Sequence, residues 1–115
     1  MSLVELCKDG DLEKVKAVLE SGVDVNTKDE DGKTGLDQAV ERHHNSVVAL
    51  LLKTPNIDVN QKGPFGVCAL HRAVYGENNE ALKLLLNIAD IDVNVVNNEG
   101  WSALHYSVDE NNIEA

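Results

Sequence analysis

The strongest constraint on this chain is that it repeats itself. Asp24-Val25-Asn26 returns as Asp58-Val59-Asn60 and again as Asp92-Val93-Asn94, and Gly32, Gly66 and Gly100 keep the same 34-residue step, as do Leu36, Leu70 and Leu104. Nearer the start, Leu3, Gly10 and Leu19 sit 33 residues before Leu36, His43 and Leu52, so the basic period is 33 with one residue added in the loops around Thr54-Pro55-Asn56 and Ile88-Ala89-Asp90. A unit of that length is one supersecondary motif. It cannot bury its apolar face alone, so successive units must stack and share a continuous core.

Each unit contains two short helical patterns. Leu36, Ala39 and Val40 fall at i, i+3 and i+4, as do Leu70, Ala73, Val74 and Leu104, Ser107, Val108. That spacing puts one apolar stripe on a first helix, and the small Ala or Ser lets a neighbour approach closely. Cys7 matches Val40, Val74 and Val108 and is therefore read as a core residue. The second helix, with Val47, Val48, Leu50, Leu51 and Leu52 in one unit and Ala81, Leu82, Leu84, Leu85 and Leu86 in the next, is apolar around most of its circumference and must be sandwiched. The Asp-Val-Asn and Gly segment that follows reads as an extended hairpin or β-turn.

Composition excludes several functions. Twenty acidic against ten basic residues give a formal charge of −10, which repels nucleic acid and anionic membranes. The apolar runs are short and the N-terminal segment lacks a basic flank, so neither a membrane span nor a signal peptide is expected. Cys7 and Cys68 lie far apart with no metal-ligand spacing. That points to free thiols in a reducing, cytoplasmic setting, with no metal or cofactor. The adjacent His43 and His44 read as a bend between helices, because two neighbouring histidines do not converge on a metal without further ligands.

The segments Gly-Lys-Thr-Gly-Leu-Asp at 32–37, Gly-Val-Cys-Ala-Leu-His at 66–71 and Gly-Trp-Ser-Ala-Leu-His at 100–105 resemble the Thr-Pro-Leu-His signature of the ankyrin repeat. The resemblance runs along essentially the whole chain. It implies an all-α solenoid forming a single domain over 1–115, with units 1–29, 30–63, 64–97 and a shortened 98–115. The short last unit leaves the apolar face of Leu104 and Val108 without a complete second helix. The expectation is a piece of a longer array, its end frayed or buried in weak self-association. Two departures bear on local structure. Gly35 replaces the motif Pro, which loosens the start of that helix, while His43, Glu77 and Asn111 replace the turn glycine found at Gly10.

The resemblance further implies a protein–protein interaction module whose recognition positions surround the loop glycine and the exposed end of the first helix. Here these are Glu30, Asp31, Lys33, Glu41 and Arg42, then Pro64, Phe65, Val67, Tyr75 and Gly76, then Asn98, Glu99, Trp101, Asp109 and Glu110. Three of the four aromatics, Phe65, Tyr75 and Trp101, fall on these positions, which predicts an aromatic patch with an acidic rim binding another protein. A second possibility is chemical. Cys68 stands where the motif has Thr and His71 follows three residues later, so both project from the first turn of one helix, with Asp37 stacking toward them. A thiol at a helix N-terminus beside an imidazole permits a cryptic or engineered ester or acyl-transfer dyad. The competing reading is a bracing pair, as Ser102 and His105 suggest by repeating the arrangement.

Overall fold

The computed structural model describes residues 2–100, which form six helices: α1 (Leu3–Asp9), α2 (Leu12–Glu20), α3 (Gly35–Glu41), α4 (Asn45–Leu52), α5 (Ala69–Tyr75) and α6 (Asn79–Leu86). A single 3-10 turn spans Pro64–Gly66. The all-α expectation holds: among the described residues the one β feature is an isolated antiparallel bridge between Lys28 and Thr34. The intervening segments are turns rather than strands.

Each first helix opens with a reciprocal capping box. In α1 the Glu5 N–H donates to Ser2 Oγ at 3.2 Å and Ser2 N–H to Glu5 Oε1 at 3.3 Å. In α3 the partners are Thr34 and Asp37, and in α5 they are Cys68 and His71. Three chemically different residues thus occupy the third helical position and do one job, accepting the cap residue's own N–H.

The first helices also close alike. Residue 10, 43 or 77 adopts a left-handed conformation, with φ of 75° at Gly10, 62° at His43 and 57° at Glu77. The next N–H then folds back five residues, Asp11 to Leu6 O, His44 to Ala39 O and Asn78 to Ala73 O. The turn is therefore as sharp without glycine as with it. At Gly10 itself glycine is required twice over, since a Cβ there would lie 2.6 Å from the His44 ring, which is anchored by a bond from its Nε2 to Lys8 O at 3.0 Å.

The first helices form one layer, with α1 against α3 and α3 against α5, and the second helices form another, with α2 against α4 and α4 against α6. The core between them runs through Leu3, Leu6, Cys7 and Val15, then Leu36, Ala39, Val40, Val47, Val48 and Leu51, then Leu70, Ala73, Ala81 and Leu85. Ala39 and Ala73 are buried at the helix contacts, as the small-residue pattern requires. Gly35 has a packing role: a Cβ there would meet Cys7 Sγ at 2.7 Å, so the missing proline is the condition for α1 and α3 to approach. Burial in this core pushes the Cys7 thiol up to about 12.

A polar ladder joins the loops. The carboxylates of Asp24, Asp58 and Asp92 each accept the N–H two residues on, from Asn26, Asn60 and Asn94. The Asn26 side chain then bridges to the next loop, donating to Asn56 O at 2.8 Å and accepting from Asp58 N at 2.8 Å. Asn60 repeats this with Asp90 O and Asp92 N, each at 2.7 Å. The Asp-Val-Asn motif is thus a turn cap and an inter-repeat clamp in one, and its Val25 and Val59 are buried.

Candidate partner-binding surface

The loops that precede α3 and α5 share a scaffold and differ at their tips. In the first, Asp29 N–H donates to Lys33 O at 2.8 Å, and the Asp29 carboxylate accepts from the N–H groups of Asp31 and Lys33 and from the Gln38 amide. Slight burial works against ionisation there, but those donors and the Lys33 charge hold the Asp29 carboxyl below the ordinary carboxylate range. Glu30 and Asp31 are left exposed at the tip.

In the second loop Gly63 takes the place of Asp29. A Cβ there would sit 3.1 Å from Gly32 O and 3.3 Å from Asp37 Oδ2, so a carboxylate at this position would crowd a buried one. The loop is closed by Gly63 N–H to Val67 O at 2.8 Å. Phe65 and Gly66 are both left-handed, at φ 59° and 75°. This turns Phe65 O to accept the Asn98 N–H at 2.8 Å, while the ring remains 80% exposed. Tyr75, at the end of α5, is 66% exposed. Val67, His71, Arg72 and Tyr75 line a groove of about 320 Å³ next to this loop.

Of the remaining expected positions, Arg42, Gly76, Asn98 and Glu99 are exposed and Pro64 is half-buried. Lys33 and Glu41 are joined to each other at 2.9 Å, and Glu41 also lies 3.8 Å from Arg72. Partial burial opposes ionisation of Glu41, yet the Lys33 hydrogen bond and the charges of Lys33, Arg72 and Arg42 keep its carboxyl below the usual value. Trp101, Asp109 and Glu110 lie outside the described residues. Arg72 was not singled out by the sequence; its position one turn before Tyr75 on the same helix was the available signal. Its side chain is only 13% exposed, 3.7 Å from Asp37 Oδ1.

Cys68 and His71 do touch, with Sγ 3.1 Å from Nδ1. The same Nδ1 also accepts the Cys68 N–H at 3.0 Å, which places this lone pair in the capping box. Both residues are 1% exposed. Burial is the main cause of a raised Cys68 pKa, and the nearby Asp37 charge adds to it against the local N–H groups. Asp37 gives its carboxylate to the Thr34 N–H at 3.1 Å and to the Arg72 ion pair. Burial raises its pKa despite those partners. Among the described residues no group of His, Cys, Asp and Glu is placed to hold a metal ion, and no helix is long and apolar enough to cross a membrane.

Stacked helix pairs, clamped loops and an open face of loop tips define a repeat protein of the interaction class. The family model for ankyrin repeats in three copies matches residues 2–63 and 55–115, and the chain belongs to the ankyrin-repeat family. Ankyrin repeats are in general protein–protein interaction modules. Over 53 residues the chain is 40% identical to the acyl-CoA-binding domain-containing protein 6 of Danio rerio; the match covers 45% of this chain and 18% of that protein, under a fifth of its length.

Proposed function

We propose that this chain holds a partner protein on the face made by its loop tips and the exposed ends of α3 and α5, through an aromatic patch bordered by carboxylates. The supporting observation is Phe65. An aromatic side chain in a left-handed conformation is costly, and leaving its ring exposed recovers none of that cost by burial. A residue kept there against both effects fits a ring that is buried only when a partner arrives. Tyr75, Val67 and, by sequence, Trp101 extend the apolar patch, with Glu30, Asp31 and Glu99 at its border. The working unit is the single domain 1–115, divided at 30, 64 and 98. Weak self-association through the shortened C-terminal unit, the face of Leu104 and Val108 that lies outside the described residues, belongs to the same reading. Sedimentation over a range of concentrations tests it.

Replacing Phe65 and Trp101 by alanine tests the interface. Loss of partner capture with an unchanged melting temperature supports it; full capture by the double variant overturns it. In this reading Cys68 and His71 brace the start of α5, since a buried thiol sharing its imidazole nitrogen with a backbone N–H is poorly placed to attack a carbonyl. A chromogenic ester should give no burst with the folded protein. A burst lost in Cys68→Ser would reinstate the dyad.

A further inference from the structure

Among the described residues the exposed face carries two grooves that differ in lining. The first, about 320 Å³ beside α5, has Val67 and Tyr75 in its wall together with His71 and with Arg72, whose charge faces Asp37 and Glu41, and Phe65 stands on the adjoining loop. The second, about 520 Å³, lies between α1 and the loop before α3, and its wall holds the carboxylates of Glu5, Asp29, Glu30 and Asp31 against the two ammonium groups of Lys8 and Lys28.

Several basic groups on this face are engaged within the protein. Lys28 Nζ donates to Lys62 O at 2.9 Å, Lys33 is held by Glu41, and Arg72 lies between Asp37 and Glu41. Glu30 and Asp31 are exposed and form no salt bridge among the described residues. With four carboxylates against the two ammonium groups of Lys8 and Lys28 in its wall, the second groove is net negative, in a chain whose formal charge is −10. A cationic segment is attracted to this face and an acidic one repelled.

We infer that the partner's recognised element is an extended segment carrying an apolar residue, which enters beside Phe65 and Tyr75, and lysine or arginine residues, which lie along Glu30 and Asp31. The inference rests on the interaction reading above and adds the chemistry and direction of what binds. Asp31 stands one repeat before Phe65 on adjoining loops, where a Cβ at Gly32 would lie 3.7 Å from Pro64, and successive units pack about 8–10 Å apart, which about three extended residues span. The apolar anchor and the basic residues are thus set about three positions apart.

A random dodecapeptide library displayed on phage and selected against the intact protein tests this. The enriched peptides are expected to combine one large apolar residue with at least two Lys or Arg about three positions away. Their affinity should fall about tenfold or more both in Phe65→Ala/Tyr75→Ala and in Glu30→Lys/Asp31→Lys, and should weaken with added salt. Circular dichroism melts confirm that each variant is folded. Peptides without basic residues that lose binding to the aromatic variant but tolerate the charge reversal would overturn the cationic partner and leave the aromatic interface standing. Peptides that bind all variants equally, or no enrichment at all, would overturn both.

Discussion

At Phe65 local backbone preference and function pull in different directions. Its φ of 59° suits glycine, and its exposed ring gives the fold little packing in return. Phe65→Gly is therefore expected to leave the melting temperature unchanged or raised while removing the aromatic contact, a combination that thermal melts and a binding assay check together. Glu77 poses the same conflict without a binding role. At φ 57° in the turn between α5 and α6, it stands where the first unit has Gly10. Glu77→Gly should stabilise the protein by about 0.5–1 kcal/mol in urea titration, the gain from removing a side chain from the left-handed region. Asp37 offers a pH readout. Its raised pKa means that the folded state binds a proton more readily than the unfolded chain, so ionisation costs stability at neutral pH and acidification through the folded value toward 3.8 restores it. The wild type should gain stability relative to Asp37→Asn over that descent, and paired urea titrations at stepped pH would show it. Glu41 runs the opposite way, its contribution being present above about 4.5 and lost as pH falls below.

Between elements, the most consequential polar residue is Asn78, the N-cap of α6. Its Oδ1 accepts from Ala81 N at 3.2 Å and Asn45 Nδ2 at 3.0 Å, and its Nδ2 donates to Val40 O at 3.0 Å and Asn45 Oδ1 at 2.9 Å. One side chain thus ties the start of α6 to the start of α4 and to the last turn of α3. It is 2% exposed, so water cannot replace what it provides. Asn78→Ala is expected to cost about 2–3 kcal/mol, because it strands several buried donors and acceptors at once. A loss no larger than that of an exposed cap would show that the network relaxes around the gap.

For the molecule as a whole, stability is close to a sum of neighbour contacts, since among the described residues the main helix contacts run within a pair or to the pair beside it. The asparagine ladder makes this testable with an internal control. Asn60→Ala removes both bonds to the following loop and should cost about 1–2 kcal/mol. Asn94 has the same sequence context but its side chain makes no hydrogen bond among the described residues, so Asn94→Ala should cost less than about 0.5 kcal/mol. Equal losses at the two positions would mean that the motif acts through its own turn rather than through the stack.

Much of this architecture is written in the one-dimensional pattern. The 33-residue period, the i, i+3, i+4 stripes and the recurring Asp-Val-Asn determine the two helices per unit, their stacking and the core from Cys7 to Leu85, because a short helix with one apolar stripe has no other way to bury it. The exposure of Phe65 and Tyr75 was legible for the same reason: neither lies on a stripe. What the tertiary structure alone decided depends on distances between units. Gly35 looked like a weakened helix start and is instead the point where Cys7 approaches, and Arg72 was an unremarked helix residue until Asp37 and Glu41 came beside it. The Cys68–His71 spacing was equally readable, but the burial that raises the Cys68 pKa and the backbone N–H that shares the imidazole nitrogen were not. Periodicity specifies which residues face inward. Desolvation and charge pairing depend on what the neighbouring unit brings to within a few ångströms, and that is set only when the units stack.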